Sequence, residues 1–422
     1  MNIDFNAGKK INKISDDEEK EEIVEETSQQ DDYVEETRPV SSSNNNYDKD
    51  ELKKKLVKVC GIMIGIFVIF LLILLLSSLF LKQKYTYDDV EAVMKEAAIS
   101  YFNDNQHQLP KEGNIVTIED SSLIDSGYMK TLDKYLGEDT TCKGRVDVEN
   151  TDGNYSYSPY LNCGNDYETI ELYKKITKEG NVVTNGYGLY SSHGEYVFRG
   201  ENVDNYVKLK NALWRVVKVK NDNTIQLILA EPSVIDNCYD DRYNKNVQFD
   251  AGINTYATSR VKDLLTSIYK GNEKVSGYDE TDYKFVSDDD KTKMNPTEVC
   301  VGKRTENDST KDNSSECSEK LRNQYFSLLT VSDYMNASLD NDCTSTVSKS
   351  CANFNYLADQ EEWWLMTANK SNTSEAYYVE VRGEIAKENA SYYAKIRPVI
   401  YLKSNVFYKS GNGSINKPYK VK

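Results

Sequence analysis

Two histidines, His107 and His193, are the whole imidazole supply of this 422-residue chain. Any nucleophile–histidine relay or multi-histidine metal site would have to use one of them. Neither stands in a setting that such chemistry selects. His107 lies in the polar stretch DNQHQLP and His193 in SSHGEY, and both read as solvated loop residues. The chain has no GxSxG elbow, no phosphate loop, no HExxH and no GxGxxG. Carboxylates are abundant, with tight groups at Asp236, Asp240 and Asp241 and at Asp288, Asp289 and Asp290. A pair of acids could cleave a glycosidic bond or hold Ca²⁺, but no spacing selects one pair from so many. The sequence therefore assigns no catalytic, cofactor-binding or metal-binding residue and implies no cofactor.

The eight cysteines carry more information. Seven follow residue 140, with no CxxC pair of the kind that holds zinc. Their close spacing suggests the disulfides Cys142–Cys163, Cys300–Cys317 and Cys343–Cys351, leaving Cys238 over. A bridge at 142–163 is geometrically sensible because GRVDVEN and NYSYSPYL, joined by the turn TDGN, form a hairpin that brings its ends together. Such crosslinks belong to an oxidising compartment.

From Val59 to Leu81, 23 residues carry no charge. As a helix they would reach roughly 34 Å, enough for a hydrocarbon core of ~30 Å. Lys49, Lys53, Lys54, Lys55 and Lys58 precede this stretch while only Lys82 and Lys84 closely follow it, which sets the amino terminus in the cytoplasm and the carboxyl-terminal bulk outside. The expected localisation is the cell membrane, single-pass. Residues 1–50 hold 15 Asp/Glu against 6 Lys/Arg, more than half of the net charge of −16. With no basic stripe for phosphates, nucleic acid is set aside as a partner.

Four regions follow. Residues 1–51 read as a disordered acidic cytoplasmic tail that could meet a cytoplasmic partner. Residues 52–81 read as the transmembrane helix with its basic inner flank. Residues 82–180 carry a stalk helix, with Val90, Val93, Met94, Ala97, Ala98, Tyr101 and Phe102 at helical spacing, and a small α+β domain. Residues 181–422 are β-rich. There LWRVVKV and TIQLILA flank Asn221-Asp222-Asn223 as a hairpin, with Trp214, Val216 and Lys218 on one face and Arg215, Val217 and Val219 on the other. AYYVEVRGEIA turns at Arg382-Gly383. KIRPVIYL reads as a final strand in which Pro398 argues for an edge or a bulge. Between them TYATSRVKDLLTSIYKG reads as a helix, and LLTVSDYMNAS as a short one capped by Ser332.

The motifs NYLADQEEWWLMTA, AYYVEVRGEIA, IRPVIYL and SGNGSINKPYKV, with LWRVVKV before them, resemble a carboxyl-terminal module of bacterial cell-surface proteins. That module is of unknown function and related to the C-type-lectin-like fold shared with formylglycine-generating enzymes. Met366 stands where the module usually has an arginine, and Lys395 where it has a small residue. The copper-binding cysteines of the enzyme branch have no counterpart, so the resemblance implies the scaffold without the activity. Residues 90–163 are more loosely similar to pilin-like ectodomains of Gram-positive bacteria, although Lys58 and Val59 occupy the positions where a pilin cleavage site would need other residues. The motifs single out Trp214, Trp363, Trp364, Tyr378 and Arg397, either as a core pin of stacked aromatics and guanidinium or as the lining of a ligand groove.

The expected architecture is a single transmembrane helix plus an α+β ectodomain: a small helix-and-hairpin domain, then a β-rich, C-type-lectin-like domain. The expected function is a non-catalytic, membrane-anchored extracellular binding or adhesion protein whose partner is a carbohydrate or protein ligand. The rivals are a structural subunit of a pilus-like envelope assembly and an envelope hydrolase using paired carboxylates.

Overall fold

A computed structural model describes residue 53, residues 57–58, residues 61–70, and residues 85–422 apart from 138–139, 152, 248–249, 272–274 and 276. It corrects the expectation of a transmembrane helix. Among the described residues no helix is long and apolar enough to cross a membrane. The described helical stretch at 61–70 would rise only about 15 Å, half the hydrocarbon thickness. The rest of the Val59–Leu81 expectation, Cys60 included, lies outside the described residues, as does the acidic tail at 1–51.

Residues 83–422 form one compact unit. It opens with α1 (Tyr87–Asp104), which starts at a capping box. The Thr86 hydroxyl accepts from the Asp89 amide at 3.2 Å, and the Asp89 carboxylate accepts from the Thr86 amide at 2.8 Å. Its apolar face (Val90, Met94, Ala97, Ala98, Phe102) is buried. That face packs with Val146, Val148 and Leu161 of the antiparallel sheet β1 (Ile115–Glu119), β2 (Lys143–Thr151) and β3 (Asn154–Asn162). The helix is thus the core of the small domain, lying across a sheet instead of standing off as a stalk. The fit is close enough that a Cβ at Gly144 would collide with the Met94 thioether.

The remainder is β-rich and built on two sheets. The larger runs β12 (Phe326–Ser327), β17 (Val399–Leu402), β8 (Ile225–Leu229), β7 (Leu213–Val219), β6 (Tyr206–Lys208), β19 (Tyr419–Val421), β18 (Tyr408–Ser410), and the hairpin β4 (Gly188–Ser192) and β5 (Glu195–Arg199) joins it through a β5–β7 pairing. The smaller runs β15 (Ile385–Asn389), β14 (Glu375–Val379), β13 (Trp363–Ala368), β16 (Tyr393–Lys395), β9 (Asp236–Cys238). A separate ribbon pairs β10 (Thr297–Cys300) with β11 (Lys320–Gln324). Every residue of β13 is buried, so this strand has apolar neighbours on both faces. α2 (Arg260–Lys270), capped by Ser259 and ended by the left-handed Gly271, covers the core. α3 (Val331–Ala337) is capped by Thr330 and not by Ser332.

Two expectations about strands change. KIRPVIYL is not one strand: it supplies β16 to the smaller sheet and β17 to the larger. Arg397 and Pro398 make the crossing between them, where a residue without an N–H costs no ladder bond. β17 itself lies inside its sheet, between β12 and β8. In β7 the register slips between Val216 and Lys218, so Val216 faces Leu227 while Lys218 faces Gln226. A bulge of one residue reverses the alternation beyond it. Lys218 therefore leaves the face of Trp214 and Val216 and joins that of Arg215.

Candidate functional site

Beyond that bulge, pairing sets Val197 of β5 beside Lys218, Lys218 beside Gln226, and Gln226 beside Tyr401 of β17. Four side chains from four adjacent strands thus form one row on one face of the large sheet. All four line a cleft of about 670 Å³, within the size range of small-ligand sites. Its walls include Ser192 and His193 at the β4–β5 turn, Lys220 and Asn221 at the β7–β8 turn, Thr310 to Asn313 from the segment closed by Cys300–Cys317, and Asp333 and Asn336 from α3.

The floor is charged and buried. The Lys218 ammonium lies 3.1 Å from the Asp333 carboxylate and 3.2 Å from that of Glu195. Asp333 also accepts from the Gln226 amide at 3.1 Å and from the Asn313 amide at 2.9 Å. Burial alone would push the Asp333 carboxyl upward, but Lys218 and these two amides together hold it below the ordinary carboxylate range. Burial likewise works against the Lys218 charge, and Asp333 and Glu195 overcome it, so the ammonium is held above the usual lysine range. Tyr401, in the same row, has its phenol pushed up to about 12 by burial. The carboxamide oxygen of Gln226, Oε1, is buried without a hydrogen-bond partner. An unpaired acceptor on a cleft floor is costly unless something fills it.

A second buried network holds the wall. Arg304 donates to Glu316 at 3.2 Å and to the Ser332 hydroxyl at 2.7 Å, and through its other terminal nitrogen to Asp308 at 3.2 Å and to the Thr310 carbonyl at 2.8 Å. Glu316 in turn accepts from the amide and hydroxyl of Ser332 and from Thr367. This ties the segment bearing Lys311, Asp312 and Asn313 to α3 and β13. His193 and Asn313, both on the cleft, hold left-handed backbone (φ 51° and 62°), which these two residue types adopt more readily than most, His193 as part of the β4–β5 turn.

The residues singled out by motif lie elsewhere. Trp214, Trp363 and Trp364 have no exposed surface. The Trp363 indole donates to Asp359 and that of Trp364 to the Asn237 carbonyl. Arg397 is buried under the Trp363 ring, 4.9 Å from its centroid, and binds the Asp359 carboxylate at 2.8 Å and the Leu229 and Leu357 carbonyls. They form the core pin. Tyr378 is half-buried in an aromatic group with Trp364 and Tyr392, outside the cleft. Among the described cysteines the bridges Cys142–Cys163, Cys300–Cys317 and Cys343–Cys351 are formed, and Cys238 is a buried free thiol. Asp240 is fully buried and paired to Arg242, while Asp288 and Asp289 pair with lysines one turn away.

Lys218, Gln226, Asp333 and Lys311 were not selected from sequence, although a signal existed. Lys218 and Gln226 are polar residues inside the apolar runs LWRVVKV and TIQLILA, and a buried lysine or glutamine must find partners. Their meeting with residues 310–336 depends on folding at long range.

Compared with known proteins, residues 229–404 match a family described as a domain of unknown function (DUF6273). The carboxyl-terminal module is therefore one whose function is not known, as its motifs implied. No curated protein and no solved structure matches the chain. Asp333, Asn313 and Tyr401 fall within the matched residues, whereas Glu195, Lys218 and Gln226 precede them. The cleft is thus assembled from the matched domain and the strands before it.

Proposed function

We propose that this chain is an extracellular, non-catalytic binding protein that seats its ligand in the cleft over the Val197–Lys218–Gln226–Tyr401 row. The observation that carries the reading is that buried row: a charged and hydrogen-bonding floor, one acceptor left open, under walls tied down by a disulfide and the Arg304–Glu316 network. Such a floor is pre-organised for a polar ligand, and loops set on a rigid sheet are the usual carriers of recognition. Three disulfides support an oxidising compartment. The two floor carboxylates share one lysine, whereas a glycosidase needs one protonated acid poised against a bond. The likeness of the carboxyl-terminal motifs to lectin-like scaffolds, which present ligands to loops, is the sequence support for a carbohydrate.

The test is a glycan array probed with the purified chain, followed by titration of any hit against Lys218→Met. Binding of one carbohydrate class, lost in that variant while the fold is retained, supports the reading. Hits that ignore cleft substitutions, or turnover of the bound glycan, overturn it.

A further inference from the structure

Two unmet needs meet on the cleft floor. The first is a bare acceptor. Gln226 is 2 % exposed, and its Nε2 must face Asp333, since an ionised carboxylate can only accept. That fixes the orientation of the carboxamide and leaves Oε1 buried without a donor. The second need is charge. Lys218 is shared by Asp333 at 3.1 Å and Glu195 at 3.2 Å, and among the described residues neither carboxylate pairs with any other cation. Lys218 holds both carboxylates in place and cannot neutralise both. The lysines higher on the walls are engaged elsewhere. Lys320 pairs with Glu298 at 2.8 Å, the Asp340 carboxylate acts on Lys311, and Lys220 stands over the Tyr401 ring, 5.9 Å from its centroid. A buried surplus of negative charge is costly, and so is a buried acceptor with no donor.

We propose that the ligand carries a primary ammonium group, which donates to Gln226 Oε1 and sets a second positive charge beside Glu195. One group answers both needs. A hydroxyl would satisfy the amide oxygen and leave the charge uncompensated, and a quaternary ammonium would bring the charge with no N–H to give. Among the described residues no three carboxylate, histidine or cysteine side chains are grouped to hold a metal ion, so an organic cation is the better fit. Of the two carboxylates Glu195 is the one a ligand reaches, its side chain 28 % exposed against 5 % for Asp333. This assignment rests on the cleft being the binding site.

The experiment is calorimetric titration of the purified full chain with a glucosamine trimer, with the same trimer N-acetylated, and with ethanolamine, at a pH that keeps the amines protonated. The glucosamine trimer should bind roughly ten-fold more tightly than its acetylated form, and the difference should shrink as salt rises from about 0.05 to about 0.5 M. Ethanolamine that competes with the trimer supports an ammonium recognised by itself, and binding of the trimer without ethanolamine supports an amino sugar. Glu195→Gln removes the surplus carboxylate and should abolish the preference, while Glu195→Asp should keep most of it; an unchanged melting temperature verifies the fold of each. Gln226→Met should weaken every probe that binds. A preference that survives Glu195→Gln overturns the assignment. Equal binding of the free and acetylated trimers, lost in Gln226→Met, also overturns it while leaving the cleft as the site. If no probe binds, or if binding ignores both Glu195 and Gln226, the assignment fails together with the cleft.

Discussion

Arg397 and Lys218 are both buried cations in the β-rich part of the molecule, and they are dressed differently. Arg397 has its donors spent on one carboxylate and backbone carbonyls, with the Trp363 ring across its face. Lys218 is held by two carboxylates on a cleft floor, next to an amide oxygen that nothing in the protein satisfies. A saturated buried charge is finished business: it locks the crossing from β16 to β17 and offers nothing to a ligand. On the cleft floor the charge is paired and the unmet need is that of the Gln226 oxygen, where a ligand could supply the missing donor. The difference teaches that the eye-catching Trp-Trp-Leu motif and its arginine mark the core, while the proposed recognition site is built from less distinctive residues.

The comparison can be broken most severely at its saturated end. Arg397→Met would leave the Asp359 carboxylate buried without its partner and should cost about 3–5 kcal/mol of stability, measured by denaturant unfolding. Burial already pushes the Asp359 carboxyl upward despite Arg397, so the variant should take up a proton there. Ligand binding by the protein that remains folded should be unchanged; a specific loss of affinity would mean that the core pin and the cleft are one site.

Next in size is the wall. Replacing Cys300 and Cys317 by serine opens a crosslink across 17 residues and should cost about 3 kcal/mol. Here affinity should fall as well, because the segment carrying Lys311 to Asn313 is no longer held. Retention of full affinity would show that the Arg304–Glu316 network suffices.

At the floor, Lys218→Met alone leaves Asp333 and Glu195 facing an apolar group and should cost about 3 kcal/mol, whereas Lys218→Met combined with Asp333→Leu should recover most of that loss. Neither variant should bind. A double variant that binds normally would return the cleft floor to the category of plain structure.

The smallest expected effect is on pH. The Asp333 carboxyl is depressed in the folded protein, so its contribution to stability is fully present above the ordinary carboxylate range near pH 4 and is lost as pH falls through the lower folded value. Melting temperatures of the wild type and of Asp333→Asn should therefore converge below about pH 4 and separate above it. Parallel curves down to pH 2 would contradict the depressed carboxyl.

Much of the fold was legible. The α1 face, the β2–β3 hairpin, the β7–β8 turn at Asn221–Asn223 and the Ser259-capped helix follow from local rules in which a residue's role depends on neighbours a few positions away. The transmembrane helix expected over Val59–Leu81 shows the limit of such rules, since the described residues contain no helix that meets its length and apolarity. Pro398 shows another. Its presence in a strand-like run signalled an irregularity, but whether that meant an edge, a bulge or a change of sheet could be settled only by the partners of β16 and β17.

By itself, then, the sequence determined the β-rich character of the carboxyl-terminal part, the cysteine spacing compatible with three short-range bridges, and the poverty of histidine that leaves few catalytic options. The tertiary structure alone decided where the cleft is. A one-residue bulge at Val217 turned Lys218 toward Gln226, and pairing between strands more than 170 positions apart brought Tyr401 beside them. A helix from yet another part of the chain delivered Asp333. The physical reason is that a side chain's local preferences set its element, whereas the charges it must meet once buried are chosen by strand register and long-range packing, which no window of neighbouring residues contains.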